Sequence, residues 1–432
     1  MNDTFKISDI ARLNESCISS SDKLDYINYL DTSNLTKNKI VEIKKIRNKF
    51  PSRAKRIVKE QTILYSTVRP NQEHYGIISN TNVKNLIVST GFTTIDVFSE
   101  RIDPKYLFYK LTQPNITNYL HTVAENAVSA YPSIKPEDIG NLELSFPDLH
   151  TQQQISSFLS KIDEKIELNN KINSELEKLA KTIYSYWLLQ FEFPNENGKP
   201  YKSSGGKMVW SDKLKKEIPE GWKSSSLASL IHESKNGDWG SDIVSNGRTK
   251  CFCVRGADID GLNGIENFNP PIRYIDETHN NRLLKPDDLI IEISGGSPIQ
   301  STGRMAHISS DVLTRLGNKV VCSNFCKAVS LITPKLSYVI SRYWAHLYDS
   351  KVFFNHEGKT SGIKNLLFDQ LSKDVTIAIP TDENLINKYY KFEENIDQQK
   401  QNNLQQNEEL TKLRDWLLPM LMNGQIKVDG EN

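Results

Sequence analysis

The sequence predicts a mixed α+β chain built twice on one plan, with two similar globular units separated by two long helices forming a coiled coil. Three observations predict it. Short apolar runs recur at an interval of about 233 residues, a long stretch without Gly or Pro follows each set of runs, and the apolar spacing of the two stretches coincides after a shift of 234.

The repeated runs come first. Asn85-Leu-Ile-Val-Ser-Thr-Gly-Phe92 has the pattern of Asn318-Lys-Val-Val-Cys-Ser-Asn-Phe325. Before it, Gln61-Thr-Ile-Leu-Tyr-Ser66 corresponds to Asp287-Asp-Leu-Ile-Ile-Glu292, and after it Leu142-Glu-Leu-Ser-Phe-Pro147 to Val375-Thr-Ile-Ala-Ile-Pro380. Rich in Val, Ile, Thr and aromatics and ended by Pro or Gly, these runs read as strands. The helices follow, over about 151–190 and 383–418. In the first, Ile155, Phe158, Ile162, Ile172, Leu176, Leu179 and Ile183 keep a 3-4 spacing. The matching positions are Tyr389, Phe392, Ile396, Gln406, Leu410, Leu413 and Leu417. Lys165 and Asn169 interrupt one seam, Gln399 and Asn403 the other; a buried Asn commonly fixes register and partner. A polar linker from Phe193-Pro-Asn-Glu-Asn-Gly-Lys-Pro200 to Lys207 leads to Pro219-Glu-Gly-Trp222, which opens the second unit. The copies diverge most within 13–60 and 228–285, as expected of a shared frame with different targets.

Composition narrows the class. The 432 residues carry 54 Lys+Arg against 53 Asp+Glu, a net +1, which argues against a uniformly basic nucleic-acid binder. At 38% hydrophobic residues and a mean hydropathy of −0.51, no run approaches the ~18 apolar residues of a membrane span. The first twenty residues lack the layout of a signal peptide. Five cysteines form no disulfide framework, so a reducing cytoplasm is expected.

The charge is local. Residues 36–60 hold ten Lys or Arg against two Glu. Lys44, Lys45, Arg47, Arg53, Lys55 and Arg56 are therefore candidate phosphate contacts, which give affinity without sequence information. Base reading needs short polar loops on a rigid frame. Two such loops recur in each unit: 69–76 and 129–133, then 295–304 and 359–364. They supply Arg69, Asn71, Gln72 and Tyr131 in the first, and Gln300, Arg304, Lys359 and Lys364 in the second.

Apparent catalytic signals fail on chemistry. Asn269-Pro270-Pro271-Ile272 puts Ile where an amino-methyltransferase stacks an aromatic ring on a flipped base. Pro286-Asp287 with Glu292 has Ser294 in place of a nuclease lysine. No P-loop or zinc-protease motif occurs, and no motif places a Ser/His/Asp set. Cys251-x-Cys253 and Cys322-x-x-x-Cys326 lack the usual zinc spacing. Strand alternation is expected to divide their side chains between faces, leaving buried free thiols. No catalytic, cofactor or metal residue is assigned.

The duplicated plan resembles the specificity subunit of type I restriction-modification enzymes. Ile218-Pro-Glu-Gly-Trp222 is similar to the entry into that family's second target-recognition domain. Phe146-Pro-Asp-Leu-His-Thr-Gln-Gln-Gln-Ile155 is similar to its first conserved helical region, and Leu417-Leu-Pro-Met-Leu-Met-Asn-Gly-Gln-Ile426 to its ending. The first unit lacks its own Pro-x-Gly-Trp entry, and Thr381-Asp-Glu-Asn-Leu385 lacks the Gln-rich helix start. The resemblance implies target-recognition domains at 1–149 and 218–380, antiparallel helices at 150–190 and 381–420, a linker at 191–217 and a tail at 421–432. It implies a non-catalytic subunit without cofactor that reads a bipartite, asymmetric duplex site. Two adenine methyltransferase subunits and restriction subunits would be its partners. Trp187, Leu188, Leu417, Leu418 and Leu421, apolar residues at the helix ends, are candidate docking positions. Forty helical residues span ~60 Å, more than the ~34 Å of one duplex turn, as a ruler requires. The alternatives are a subunit of a methyltransferase-only or other phage-defence system, a stand-alone enzyme, or a coiled-coil scaffold that never touches DNA.

Overall fold

The computed structural model describes residues 3–19, 22, 24–79, 84–127, 131–264, 268–295, 297, 299–317, 319–360 and 363–428, with Lys359 and Thr360 described in backbone only. It divides into two compact units, residues 1–165 with 410–432, and residues 166–409. Among the described residues no helix is long and apolar enough to cross a membrane.

Unit 1 stacks two four-stranded sheets. One has the order Lys44–Arg47, Tyr26–Leu30, Leu86–Ser89, Ala54–Ile57, with Tyr26–Leu30 and Leu86–Ser89 parallel. The other runs Ala11–Leu13, Phe92–Val97, Ile63–Ser66, Tyr75–Ile77, all antiparallel. Leu30, Leu64, Leu86, Val88 and Phe92 fill the space between them. Helices Pro104–Leu111 and Pro114–Glu125, each with Pro in the first turn, close the second core. Asp103 caps the former by accepting from the Tyr106 amide at 2.7 Å.

Unit 2 repeats the frame. Ile231–Asn236, Cys326–Leu331, Leu289–Glu292 and Met305–His307 form one sheet. Ile272–Asp276, Arg248–Val254 and Val320–Cys322 form the other, the last two strands again parallel. The expected polar linker is itself folded. It forms the hairpin Met208–Ser211 with Lys216–Pro219, and Phe193 stacks between Tyr201 (4.6 Å) and Trp222 (5.5 Å). Phe193 and Tyr201 inside the polar stretch, with Trp222 beyond it, decide this.

The ladders correct the repeat interval. Ser66 pairs with Phe92 and Ile63 with Ile95; Glu292 pairs with Cys326 and Leu289 with Val329. With Ile63–Ser66 matched to Leu289–Glu292 at an interval of 226, the partner strands Phe92–Val97 and Cys326–Leu331 are offset by 234, as the helices are, and Phe92 corresponds to Cys326 rather than Phe325. A one-residue slip turns every side chain over: Phe92 is 1% exposed, whereas Phe325 is 55% exposed.

The long helices are Leu149–Tyr184, continued by a π turn over Ser185–Leu189, and Glu383–Met422, which runs two residues into the expected tail. Asp148 starts the first by accepting from the Thr151 amide at 3.0 Å. Within unit 2 their segments run antiparallel and are bridged by amides. Asn169 donates to Asn407 (2.9 Å) and Gln406 (3.3 Å), Asn403 to Asn173 (2.8 Å), and Asn407 to Asn170 (2.9 Å). The expected seam slips here. Ile172 (38%) and Leu179 (47%) face solvent, while Asn173, Ala180 and Tyr184 are buried. A strict seven-residue repeat stays on one face only if the helix supercoils; 3.6 residues per turn advances it, and the amide ladder selects the displaced face.

Candidate nucleic-acid interface

In unit 1 the basic stretch is strand, not a helix face. Lys44, Lys45 and Arg47 lie exposed on one edge of the first sheet, while Lys55 and Arg56 lie on the opposite edge, with Arg53 just before that strand. Three strand spacings, ~14 Å, separate the edges, so the cations form two rows rather than one patch. Lys44 is within 3.6 Å of Glu42, and the Lys45 ammonium sits 4.3 Å from the Tyr26 ring centroid. Arg56 is half-buried. It donates to Cys17 Sγ at 3.1 Å, and its Nε is buried without a partner, which makes it the least available of the six.

The two expected loops of unit 1 meet. A bridge between Val68 and Ser133 and the Arg69 amide on the Pro132 carbonyl (2.9 Å) bring the Arg69 guanidinium 5.8 Å from the Tyr131 ring. Arg69 and Glu73 flank the short turn Pro70–Gln72 in left-handed backbone, uncommon for residues with a Cβ. The turn holds Asn71 and Gln72 exposed beside that pair.

In unit 2 two expected base-readers are already engaged. Arg304 is clamped by Glu292 through two hydrogen bonds (2.8 and 3.0 Å) and by Asp260 (2.9 Å). These partners keep its guanidinium charged and turned inward, pushing its pKa up. Lys364 pairs with Glu357 at 2.9 Å and lies over the Phe354 ring. Neither extends toward a ligand, because Glu292 and Glu357 in strands and Asp260 in a short helix capture them; both are withdrawn as base contacts. Gln300 is exposed, and its carbonyl accepts from Lys364 at 3.5 Å. The Lys359 backbone pairs with Lys364, and its side chain lies outside the described residues.

Sequence reasoning missed a held loop over 237–247. Asp238 accepts from His279 (2.6 Å) and Arg282 (3.5 Å), and the Trp239 amide donates to Asn324 (3.0 Å). The Arg273 guanidinium covers Trp239 at 4.4 Å and donates to its carbonyl at 2.9 Å. Trp239, Ile243 and Val244 are left exposed. The spacing Gly237-Asp-Trp-Gly240 was the available signal.

The proposed docking residues are corrected by burial. Leu188, Leu418 and Leu421 are core residues, Leu417 packs partly buried against the unit 1 core, and Trp187 lies against Tyr389 and Phe392. Their apolar character closes the helix ends onto the units. The exposed apolar residues of the long helices are instead Leu168, Ile172, Leu179 and Tyr186, and Leu413 and Trp416.

The rejected chemistry can be placed. His307 Nε2 contacts both Asp287 (3.1 Å) and Ser337 (3.0 Å), but a nucleophile relay uses one ring nitrogen for each partner, and Ser337 is fully buried. Cys251 and Cys253 share one face, contrary to the expected division, since alternation places i and i+2 together. Cys322 and Cys326 lie in the other core. Burial pushes the Cys251 thiol up to about 11 and those of Cys253 and Cys326 up to about 12.

Comparison with known proteins agrees with this frame. Residues 2–178 match the family described as Type I restriction modification DNA specificity domain. A Haemophilus influenzae protein, the type I restriction enzyme HindI specificity subunit, is 32% identical over 166 residues, 38% of this chain and only 36% of that protein. The Methanocaldococcus jannaschii type I restriction enzyme MjaIX specificity subunit is 22% identical over 357 residues, covering 80% of this chain and 74% of that one. The crystal structure of a type I restriction-modification system S subunit from M. genitalium shares the fold, with a TM-score of 0.56, 16% identity and coverage of 98% and 96%. Residues 2–178 are thus similar to the type I DNA specificity domain, and the chain is similar over most of its length to a type I specificity subunit.

Proposed function

We propose that the chain is the non-catalytic DNA-recognition subunit of a type I restriction-modification complex, each unit reading one half of a bipartite, asymmetric duplex site. One observation carries the reading: a single two-sheet frame is used twice, and the copies differ most around the sheets that hold Tyr26–Leu30 and Arg248–Val254. The long helices act as the spacer between the half-sites. Two adenine methyltransferase subunits dock on the chain, supply the chemistry, and are joined by restriction subunits. Their docking surfaces are the exposed apolar residues of each unit's own helix segments, Leu413 and Trp416 in unit 1 and Leu168, Ile172, Leu179 and Tyr186 in unit 2, rather than the buried helix ends.

Long-read mapping of methylated adenines in a host carrying this chain with its methyltransferase partner tests it. A two-part motif with a fixed gap is expected, and replacing unit 2 by that of another such chain should change one half only. Methylation without a two-part motif, or both halves changing together, would sink the proposal.

A further inference from the structure

The ladders align the most divergent parts of the two units, which the sequence does not. Leu86 pairs with Asn28 and Val320 with Phe252, and in both units the strand continues on that face into the inner core. Two residues earlier on the same face stand Tyr26 and Lys250. Their cross-strand partners are Arg47 and Tyr274. Each unit therefore sets one tyrosine opposite one cation at the same place in its sheet, with the order inverted between the strands. Pair members directly opposite share a face within side-chain reach.

Tyr26–Arg47 closes the end of its strands, and Lys250–Tyr274 is followed on its face by Arg248–Asp276, the last pair of its ladder. Arg47 and Lys250 are exposed, the two tyrosines half-buried. Lys45 reinforces the first pair from above the Tyr26 ring. Among the described residues, no ion pair joins Arg47, Lys45 or Lys250 to an acid within salt-bridge distance, unlike Arg304 or Lys364. The acid nearest in register on this face of unit 2, Asp276, is occupied by the Thr278 amide (2.9 Å) and hydroxyl (2.6 Å). An uncompensated cation beside a presented aromatic face suits a sugar–phosphate backbone: the cation neutralises a phosphate, and the ring packs on the sugar or base beside it.

We propose that Tyr26–Arg47 in unit 1 and Lys250–Tyr274 in unit 2 are equivalent nucleic-acid contacts, one per half-site, anchoring the DNA backbone rather than reading sequence. The proposal rests on the DNA-recognition reading above. It assigns unit 2 a phosphate contact on its sheet, and it adds an aromatic partner to the basic edge of unit 1.

The test uses the full chain and a fluorescein-labelled duplex of mixed sequence about 40 base pairs long, followed by anisotropy from 50 to 200 mM salt. Replacing either pair with two alanines is expected to weaken binding about ten-fold, and each lost cation to flatten the salt slope by about one. Exchanging the pair in place, as Tyr26→Arg with Arg47→Tyr or Lys250→Tyr with Tyr274→Lys, should bind within about three-fold of the parent, because the opposed chemistry is kept. Unfolding midpoints identify any variant that loses affinity through its fold, and the exchanged pairs then decide. Parent-like affinity and slope in both alanine pairs would overturn the inference while leaving the recognition reading intact. Exchanged pairs that fold yet bind as weakly as the alanine pairs would also overturn it. No salt-dependent binding by the parent chain would remove the recognition reading itself.

Discussion

The junction between the short helix of each unit and the two long helices is built twice with its charges exchanged. In unit 1, helix Pro104–Leu111 offers a neutral phenol: Tyr109 donates to Asp163 of the first long helix at 2.5 Å, and Arg414 of the second neutralises Asp163 at 2.7 Å. In unit 2, helix Ser337–Asp349 offers the cation. Arg342 binds Glu393 of the second long helix at 2.9 Å and Glu177 of the first, and Lys400 balances Glu177 at 2.8 Å. The frame requires a polar clamp that touches both long helices; which element carries the charge is free. The two clamps differ in depth. Glu393 is 1% exposed, and the unit 2 cluster holds two acids against two cations, so removing one member leaves more buried charge uncompensated.

That comparison can be broken in four places. The largest effect concerns the alignment of the units. Phe92→Ala should cost about 3–5 kcal/mol, as deletion of a buried ring does, whereas Phe325→Ala should stay within ~0.5 kcal/mol. Equal shifts in urea midpoint would restore the 233-residue alignment. Next, Arg342→Ala should destabilise by about 3–5 kcal/mol, since two carboxylates lose their guanidinium. Arg414→Ala should cost ~1.5–3 kcal/mol, because one acid keeps the Tyr109 hydroxyl. Circular dichroism on urea titration distinguishes them, and the reverse order would refute the difference in depth.

A third, smaller effect is expected from Asn173→Ala, which strips Asn403 of its acceptor and should cost ~1–3 kcal/mol. An unchanged midpoint would mean that the amides do not set the register. The last expected effect is a pH dependence in unit 2. Burial pushes the Glu177 carboxyl up, but Arg342 and Lys400 more than reverse this and hold it down at about 2, against an ordinary 4.5. A depressed carboxylate stabilises the fold above its unfolded value and loses that contribution as pH falls through the folded one. Stability should therefore drop between pH 4.5 and 2, and Glu177→Gln should flatten the curve there. A wild-type profile retained in the variant would place the acid sensitivity elsewhere.

The duplicated strands and both long helices were legible because each has its own period. Phe92–Val97 and Leu149–Tyr184 announce themselves in a window of ten or twenty residues. Pairing was not legible to the residue: Phe92 and Phe325 look alike in sequence, and only hydrogen-bond partners separate an interval of 233 from 234. The candidate interface was legible in half. The cations at 44–56 are unmistakable, but their division between two sheet edges depends on Tyr26–Leu30 and Leu86–Ser89 lying between them. Arg304 and Lys364 misled for a related reason, since Glu292, Asp260 and Glu357 come from separate segments. The helix ends misled because Leu188 or Leu418 reads the same whether it meets a partner or its own unit.

The amide ladder of Asn169, Asn173, Asn403 and Asn407 carries no net charge and no titrating group. Ionic strength weakens attraction between exposed cations and phosphates steeply but leaves neutral amide pairs almost untouched. On the proposed reading, the grip on a duplex and the register of the helix pair are set by independent physics. Salt would then release the duplex without retuning the amide-bridged helices.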